Sequence, residues 1–290
     1  MTAPFLLPEG RVQVSFSGGR TSAYMLQRLL DANGDVMRDE DRVQVVFANT
    51  GRERPETLDF VAEVGRRWQV SITWVEFRLG EPGQRFEVVG RQGASVEGEP
   101  FEALIQHGAR GYLPNATSRH CTSDLKIRPA RDYLRSLGWK HWTAAIGIRA
   151  DEAHRSASQP KERWTVWRPL VDAGVTKHDV ALFWRSQPFD LGLPNVNGNA
   201  ALGNCDGCFL KAEATLAALA RDEPERHAWW ERMERIAATR AREPSGAVFD
   251  EARSRVSLRD FVERQGDWIF SEEAHAAGVL CQADGGECVG

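Results

Sequence analysis

Two rhythms of apolar residues alternate along the first two-thirds of the chain. Val12, Val14 and Phe16 alternate with polar neighbours, as in a strand, and residues 23–30 then follow a helical pattern. Residues 43–48 (Val-Gln-Val-Val-Phe-Ala) are apolar on both faces, as in a buried parallel strand. Pro55 and Glu56 open a helix through Arg67, with Leu58, Val61 and Val64 on one face. Residues 72–77 read as a third strand, and 80–118 as a long, weakly periodic excursion with one short helix near 100–107. A helix over 128–137, a buried strand over 142–148 and a helix over about 177–186 come next. Residues 192–208 form a Gly/Asn-rich loop, 209–240 are strongly helical, and a short helix near 257–264 precedes a Gly-rich end. This order predicts an α/β fold: an open, mostly parallel twisted sheet flanked by helices, with a mainly helical C-terminal region. We divide the chain at 208, into an α/β domain (1–208) and a helical extension with a Cys-containing tail (209–290).

Composition narrows the classes of function. The 290 residues carry a formal net charge of −4, so there is no global nucleic-acid footprint, although a local basic patch remains open. Residues 1–10 lack a basic segment leading into a long apolar run, and no run approaches the roughly 18 residues of a membrane span. The expectation is a cytoplasmic protein with no membrane partner. Its five cysteines, Cys121, Cys205, Cys208, Cys281 and Cys288, then read as metal or redox chemistry rather than a disulfide scaffold.

The first strand runs into Ser15-Phe16-Ser17-Gly18-Gly19-Arg20-Thr21-Ser22 and then directly into a helix. Such a turn points backbone N–H groups and the Ser17, Thr21 and Ser22 hydroxyls at an anion, and its glycines let the anion approach. Neither G-x-G-x-x-G nor a Gly-Lys-Ser/Thr ending is present, so it is neither a Rossmann fingerprint nor a Walker A loop. The segment resembles the pyrophosphate loop, S-G-G-x-[DT]-S, of the adenine nucleotide alpha-hydrolase-like superfamily. The resemblance implies that Ser15 and residues 17–22 bind nucleotide and that Ser17 is catalytic.

Cys205-Asp206-Gly207-Cys208 is a C-x-x-C in a polar loop. Two thiolates so spaced can grip one metal centre, or form a redox disulfide. No strand-like run precedes it, which counts against a thioredoxin-type site. Residues 120–129, His-Cys-Thr-Ser-Asp-Leu-Lys-Ile-Arg-Pro, resemble the cluster-binding segment of adenylyl-sulfate reductases, with Thr122 where those have a second cysteine. That implies a [4Fe–4S] cluster, with zinc as the alternative, on Cys121, Cys205 and Cys208. Cys281, Cys288, His120 or a non-protein group would be the fourth ligand. Glu287-Cys288 resembles the Glu-Cys-Gly tail of sulfonucleotide reductases, whose cysteine is the nucleophile.

Residues 147–155 (Gly-Ile-Arg-Ala-Asp-Glu-Ala-His-Arg) follow a buried strand, where open parallel sheets place their ligands. Arg149 and Arg155 there suit phosphate or sulfate, Lys126 and Arg128 add to the positive site, and Asp151 or Glu152 is a candidate for Mg²⁺. The run resembles the G-x-R-x-x-[EQ]-x-x-R segment of phosphoadenylyl-sulfate (PAPS) reductase-like proteins. Asn49-Thr50-Gly51 resembles that family's adenosine-side segment, although Glu53 and Glu56 also suit a helix N-terminus. Trp229 and Trp230 read as packing residues.

Together these segments make the chain resemble a PAPS reductase-like member of the pyrophosphate-loop superfamily. The intact loop favours ATP with Mg²⁺: pyrophosphate leaves, an acceptor is adenylated, and sulfur is transferred with iron–sulfur assistance. A sulfur donor is then a partner, and the acceptor a nucleic acid or a small molecule. The alternatives are a thiol-dependent reductase of adenylyl sulfate or PAPS with Cys288 as nucleophile, and a non-catalytic, metal-stabilised nucleotide-binding scaffold. A homodimer is compatible with either enzyme.

Overall fold

The computed structural model describes residues 3–108, 110–155, 162–196, 199–200 and 202–270. Its centre is a six-stranded sheet of β1 (Val12–Phe16), β2 (Val43–Asn49), β3 (Ile72–Phe77), β4 (Phe86–Val89), β5 (Trp142–Ile146) and β6 (Trp164–Trp167). The spatial order is β4-β3-β2-β1-β5-β6. β1 lies parallel between β2 and β5, with Val14 opposite Val45 on one side and Ala145 on the other. β3 and β6 extend the parallel pairing, and β4 returns antiparallel along β3. The order reverses at β1, between β2 and β5, so a crevice is expected beyond the carboxyl ends of β1 and β5.

The helices are α1 (Arg20–Asn33), α2 (Pro55–Trp68), α3 (Glu99–His107), α4 (Arg128–Ser136), α5 (Pro169–Asp172), α6 (Lys177–Arg185), α7 (Glu213–Asp222), α8 (Pro224–Ala238) and α9 (Arg255–Gln265). A π-helical turn, Thr122–Ile127, leads straight into α4. The largest apolar cluster joins Val12, Val14 and Phe16 to Met25, Leu26, Leu58, Val61 and Trp184, so β1 is packed beneath α1, α2 and α6. A second cluster joins Phe77, Phe101, Leu104 and Leu125 to Phe209, Trp229, Trp230 and Phe249, so packing is continuous across residue 208.

The expected open, mostly parallel sheet with helices on its faces and in the C-terminal region is the one observed. Four details are added. The excursion over 80–118 contains β4, whose four residues pair with the edge of β3. β6 follows the 147–155 segment and was not expected. The strongly helical stretch over 209–240 is divided into α7 and α8, because Pro224 cannot continue the helix before it and instead starts α8. Within the loop over 192–208, β7 (Asn195–Val196) and β8 (Asn199–Ala200) form a short ribbon. Among the described residues, no helix is long and apolar enough to cross a membrane.

Candidate functional site

A cavity of about 310 Å³ opens where the crevice was expected. One part of its lining is residues 15–22, with Gly147 and Arg149 from the segment after β5. Gly18 takes a φ of +78°, and a Cβ there would lie 2.8 Å from Thr57 Cγ2, so the turn is closed to a side chain on both counts. Ser22 ties the turn together: its Oγ accepts from Ser17 N (3.2 Å), shares a hydrogen with Ser17 Oγ (3.0 Å) and reaches Gly19 O (3.0 Å). Gly19 caps α1 without a side-chain hydrogen bond, leaving the first-turn N–H groups facing the cavity. Gly147 brings β5 close, since a Cβ there would lie 3.2 Å from Ser22 Cα.

Arg149 is buried at 4 % exposure. Its Nη1 donates to Thr21 Oγ1 (3.0 Å), and Asp151 (3.2 Å) and Glu152 (3.2 Å) hold the rest of the guanidinium. The structure therefore brings Arg149 to the loop as expected, and it gives both candidate Mg²⁺ carboxylates to Arg149. The Arg20 side chain is directed instead to Asp190, in a two-pronged pair at 2.6 Å each. The side chain of Arg155 lies outside the described residues, as do Cys281 and Cys288.

The opposite wall is the π-helical turn and α4, which contribute Lys126, Ile127, Ala130 and Arg131. Lys126 also borders a second, smaller cavity of about 20 Å³, lined by Cys121, Cys205, Cys208, Thr50 and Trp230. The three thiols thus surround one space, and Thr50 Oγ1 lies 3.2 Å from Cys205 Sγ. Three thiolates make a donor set suited to an iron–sulfur cluster or zinc. Among the described residues, no three His, Cys, Asp or Glu side chains are drawn close enough to grip a metal ion. Asn49, Thr50 and Gly51 do not line the larger cavity. Asn49 is spent on Glu76 (2.6 Å) and Ser95 O (2.9 Å), and Thr50 on Glu53 (2.8 Å).

The C-x-x-C turn is firmly held, not the loose polar loop its sequence suggests. Asp206 is wholly buried; its carboxylate accepts from Arg52 Nη2 (2.8 Å), Trp230 Nε1 (2.8 Å), Gly207 N (2.8 Å) and Arg226 Nε. Arg52 stacks on Trp229, 4.7 Å from the ring centre, and Arg255 Nη2 donates to Gly207 O (3.0 Å). Trp229 and Trp230 are packing residues, as expected, and also clamp this turn. His120 is buried, which pushes its pKa down to about 4, with the Arg110 charge adding to the effect.

His227, buried beneath the turn, donates from Nε2 to Arg255 O at 2.9 Å. Burial lowers its pKa, and the charges of Arg255 and Arg259 act the same way. The unfolded chain would take up a proton near pH 6.5, above the folded value, so more protons bind to the unfolded state between the two. Stability is therefore expected to be fully present above about pH 6.5 and to fall as the pH drops toward the folded pKa. Denaturant melts of His227→Gln across that range should show a shallower decline; an identical decline would remove His227 as a cause.

Sequence reasoning missed Thr57. Its side chain lines the larger cavity at 1 % exposure, and among the described residues Oγ1 has no hydrogen-bond partner. The signal was a polar residue at 57 on the stripe of Val61 and Val64, an i, i+4, i+7 set that should be apolar.

The family model described as Phosphoadenosine phosphosulfate reductase domain matches residues 11–171, more than half of the chain. A protein of Escherichia phage lambda, "Uncharacterized nin region protein ORF290", is 34 % identical over 217 residues, which is 72 % of this chain and 69 % of that protein. Among solved structures, phosphoadenylyl-sulfate (PAPS) reductase from Candida auris, in a phosphate complex, has 17 % identity and a TM-score of 0.40, covering 66 % of this chain and 81 % of that one. The U34-tRNA thiolase NcsA from Methanococcus maripaludis, with its [4Fe-4S] cluster, has 11 % identity and a TM-score of 0.38, covering 90 % and 86 %.

Proposed function

We propose a reaction from the premise that the sequence match establishes: this chain belongs to the phosphoadenosine phosphosulfate reductase domain family. Within it, the chain acts as an ATP-using sulfurtransferase. The observation that carries this reading is the shared position of Lys126, which borders both the loop cavity and the thiol cavity. Nucleotide chemistry and sulfur chemistry then meet at one wall.

ATP lies with its phosphates on residues 17–22 and against Arg149. An acceptor oxygen attacks the α-phosphorus, the bond to the bridging oxygen breaks, and pyrophosphate leaves. Hydrosulfide then attacks the adenylated carbon, the carbon–oxygen bond breaks, and AMP carries the oxygen away. The N–H groups of the first turn of α1 and the Ser17 hydroxyl stabilise charge on the departing pyrophosphate, while Ser22, whose Oγ donates to Gly19 O and accepts from Ser17 N, holds the turn in shape. Arg149, held in place by Glu152 and Asp151, offers its guanidinium to the same oxygens. Lys126 neutralises charge between the nucleotide and the thiols. An iron–sulfur cluster held by Cys121, Cys205 and Cys208 would supply a soft site for sulfide, and Thr50 positions Cys205.

The test is pyrophosphate release from ATP against sulfite release from PAPS, with iron, sulfide and zinc analysis of anaerobically purified protein. Pyrophosphate release that Ser17→Ala abolishes is expected. Sulfite release that requires Cys288 and ignores Ser17→Ala would overturn the proposal in favour of a thiol-dependent reductase.

Thr57 gives a finer expectation. Its side chain lines the same cavity as residues 17–22 and its hydroxyl has no partner among the described residues, so an oxygen of the bound nucleotide would accept from it. Thr57→Val keeps the shape and removes that donor, so KM for ATP should rise about tenfold, the worth of one hydrogen bond to a charged group. Thermal stability should hold or increase, because a buried, unsatisfied group is removed. An unchanged KM would show that Thr57 Oγ1 does not contact the nucleotide.

A further inference from the structure

Acidic and basic residues nearly balance over the whole chain, 41 against 37, but they are not evenly spread. Residues 110–140 contain Arg110, Arg119, Lys126, Arg128, Arg131, Arg135 and Lys140, against only Asp124 and Asp132 and no Glu. Both aspartates are buried, at 3 % and 1 % exposure. Arg128 (2.6 Å) and Arg110 (3.3 Å) hold Asp124, and Arg131 (3.0 Å) holds Asp132. The charge that this segment presents to solvent is therefore of one sign, beside exposed Ile127 and Leu137.

The fold aligns these charges. Arg128, Arg131 and Arg135 stand at i, i+3 and i+7 on α4, within one face of the helix. Asp124 draws Arg110 to the start of that row. Arg131 and Lys126 line the larger cavity, so the row passes its edge. Two carboxylates on neighbouring elements are already engaged by other arginines, Glu87 of β4 by Arg78 (2.6 Å) and Glu102 of α3 by Arg232 (2.8 Å). Among the described residues, Arg119, Arg135 and Lys140 have no carboxylate partner. Tyr112, 38 % exposed near the Arg110 end, adds a ring face.

We infer that this row docks the phosphate backbone of a nucleic acid, which is the acceptor whose reacting atom enters the cavity; the acceptor role rests on the sulfurtransferase reading above. A small acceptor held in the cavity would have no use for Arg128 and Arg135, which are not part of its lining and stand about 10 Å apart along the helix at 1.5 Å per residue. Guanidinium groups in a row, with an aromatic ring at one end, fit a chain of phosphates and a base.

The experiment uses the full chain without ATP, and fluorescein-labelled single-stranded DNA and RNA of about 30 nucleotides, read by anisotropy between about 50 and 200 mM KCl. Binding that weakens steeply with salt is expected. The variant Arg119→Glu/Arg135→Glu/Lys140→Glu should bind more than about tenfold more weakly, with the salt slope reduced by about two. The inference is overturned if neither oligonucleotide binds, if the variant binds as tightly as the parent, or if poly-glutamate competes as well as unlabelled oligonucleotide, which would indicate an acidic protein instead. The salt slope and the competition are read on the parent protein, so they stand even if the variant misfolds. Oligonucleotide binding without pyrophosphate release would retain the docking surface and sink the ATP reading. Pyrophosphate release without oligonucleotide binding would do the reverse.

Discussion

Arg149→Ala is expected to lower kcat/KM for pyrophosphate release from ATP by about 100- to 1,000-fold, the usual cost of removing one preorganised donor to transition-state charge. That is about 3–4 kcal/mol at 1.36 kcal/mol per tenfold. The guanidinium is buried, fixed by two carboxylates and bonded to Thr21 of the loop, so its position is set before any ligand arrives. Arg149→Lys should recover little, because a point charge cannot keep the two-carboxylate grip and reach Thr21 as well. Steady-state kinetics of both variants, with thermal melts to confirm folding, provide the check. A folded Arg149→Ala enzyme with parental kcat/KM would remove this residue from the mechanism.

The second large effect is on stability. Asp206→Ala should cost about 3–5 kcal/mol, because Arg52 would be left buried without its anion. Burial already lowers the Arg52 pKa, and Asp206 is the main opposing influence. Trp230 Nε1 and Gly207 N would lose their acceptor in the same step. Asp206→Asn keeps the shape and one of the two acceptor oxygens but not the charge, so it should fall between parent and alanine. Denaturant melts measure the loss, and bound iron or zinc per chain should fall with it, since Cys205 and Cys208 flank the anchored residue. Parental stability in Asp206→Ala would mean that the buried pair contributes nothing net.

The sequence made the centre of the sheet legible because β1, β2, β3 and β5 have strong local patterns: alternation in Val12–Phe16, and near-continuous apolar runs in the buried strands. β4 and β6 are four-residue edge strands, and pairing with β3 and β5 defines them more than their own residues do. The loop at 17–22 was legible, since Gly18, Gly19 and Ser22 act within a few residues of one another. Asp206 was not. Its partners Arg52, Arg226 and Trp230 lie 154, 20 and 24 residues away, and nothing local marks a polar residue as a buried anchor. The partner of Asn49 was hidden for a related reason: its side chain donates to Glu76, 27 residues on. The basic row was visible as composition, but only the burial of Asp124 and Asp132 makes it one-signed.

The π-helical turn over Thr122–Ile127 sets the angular phase between the two cavities. Such a turn is an α-helical turn holding one extra residue, about 100° of rotation. Cys121 lies on one side of that extra residue and the α4 face carrying Ala130 and Arg131 on the other. With the extra residue, the thiol points to one cavity while the helix walls the other, and Lys126 straddles both. Without it the helix would run on unbroken, but the thiol and the helix wall would fall out of step. A single inserted residue is thus enough to set two cavities side by side along one helix.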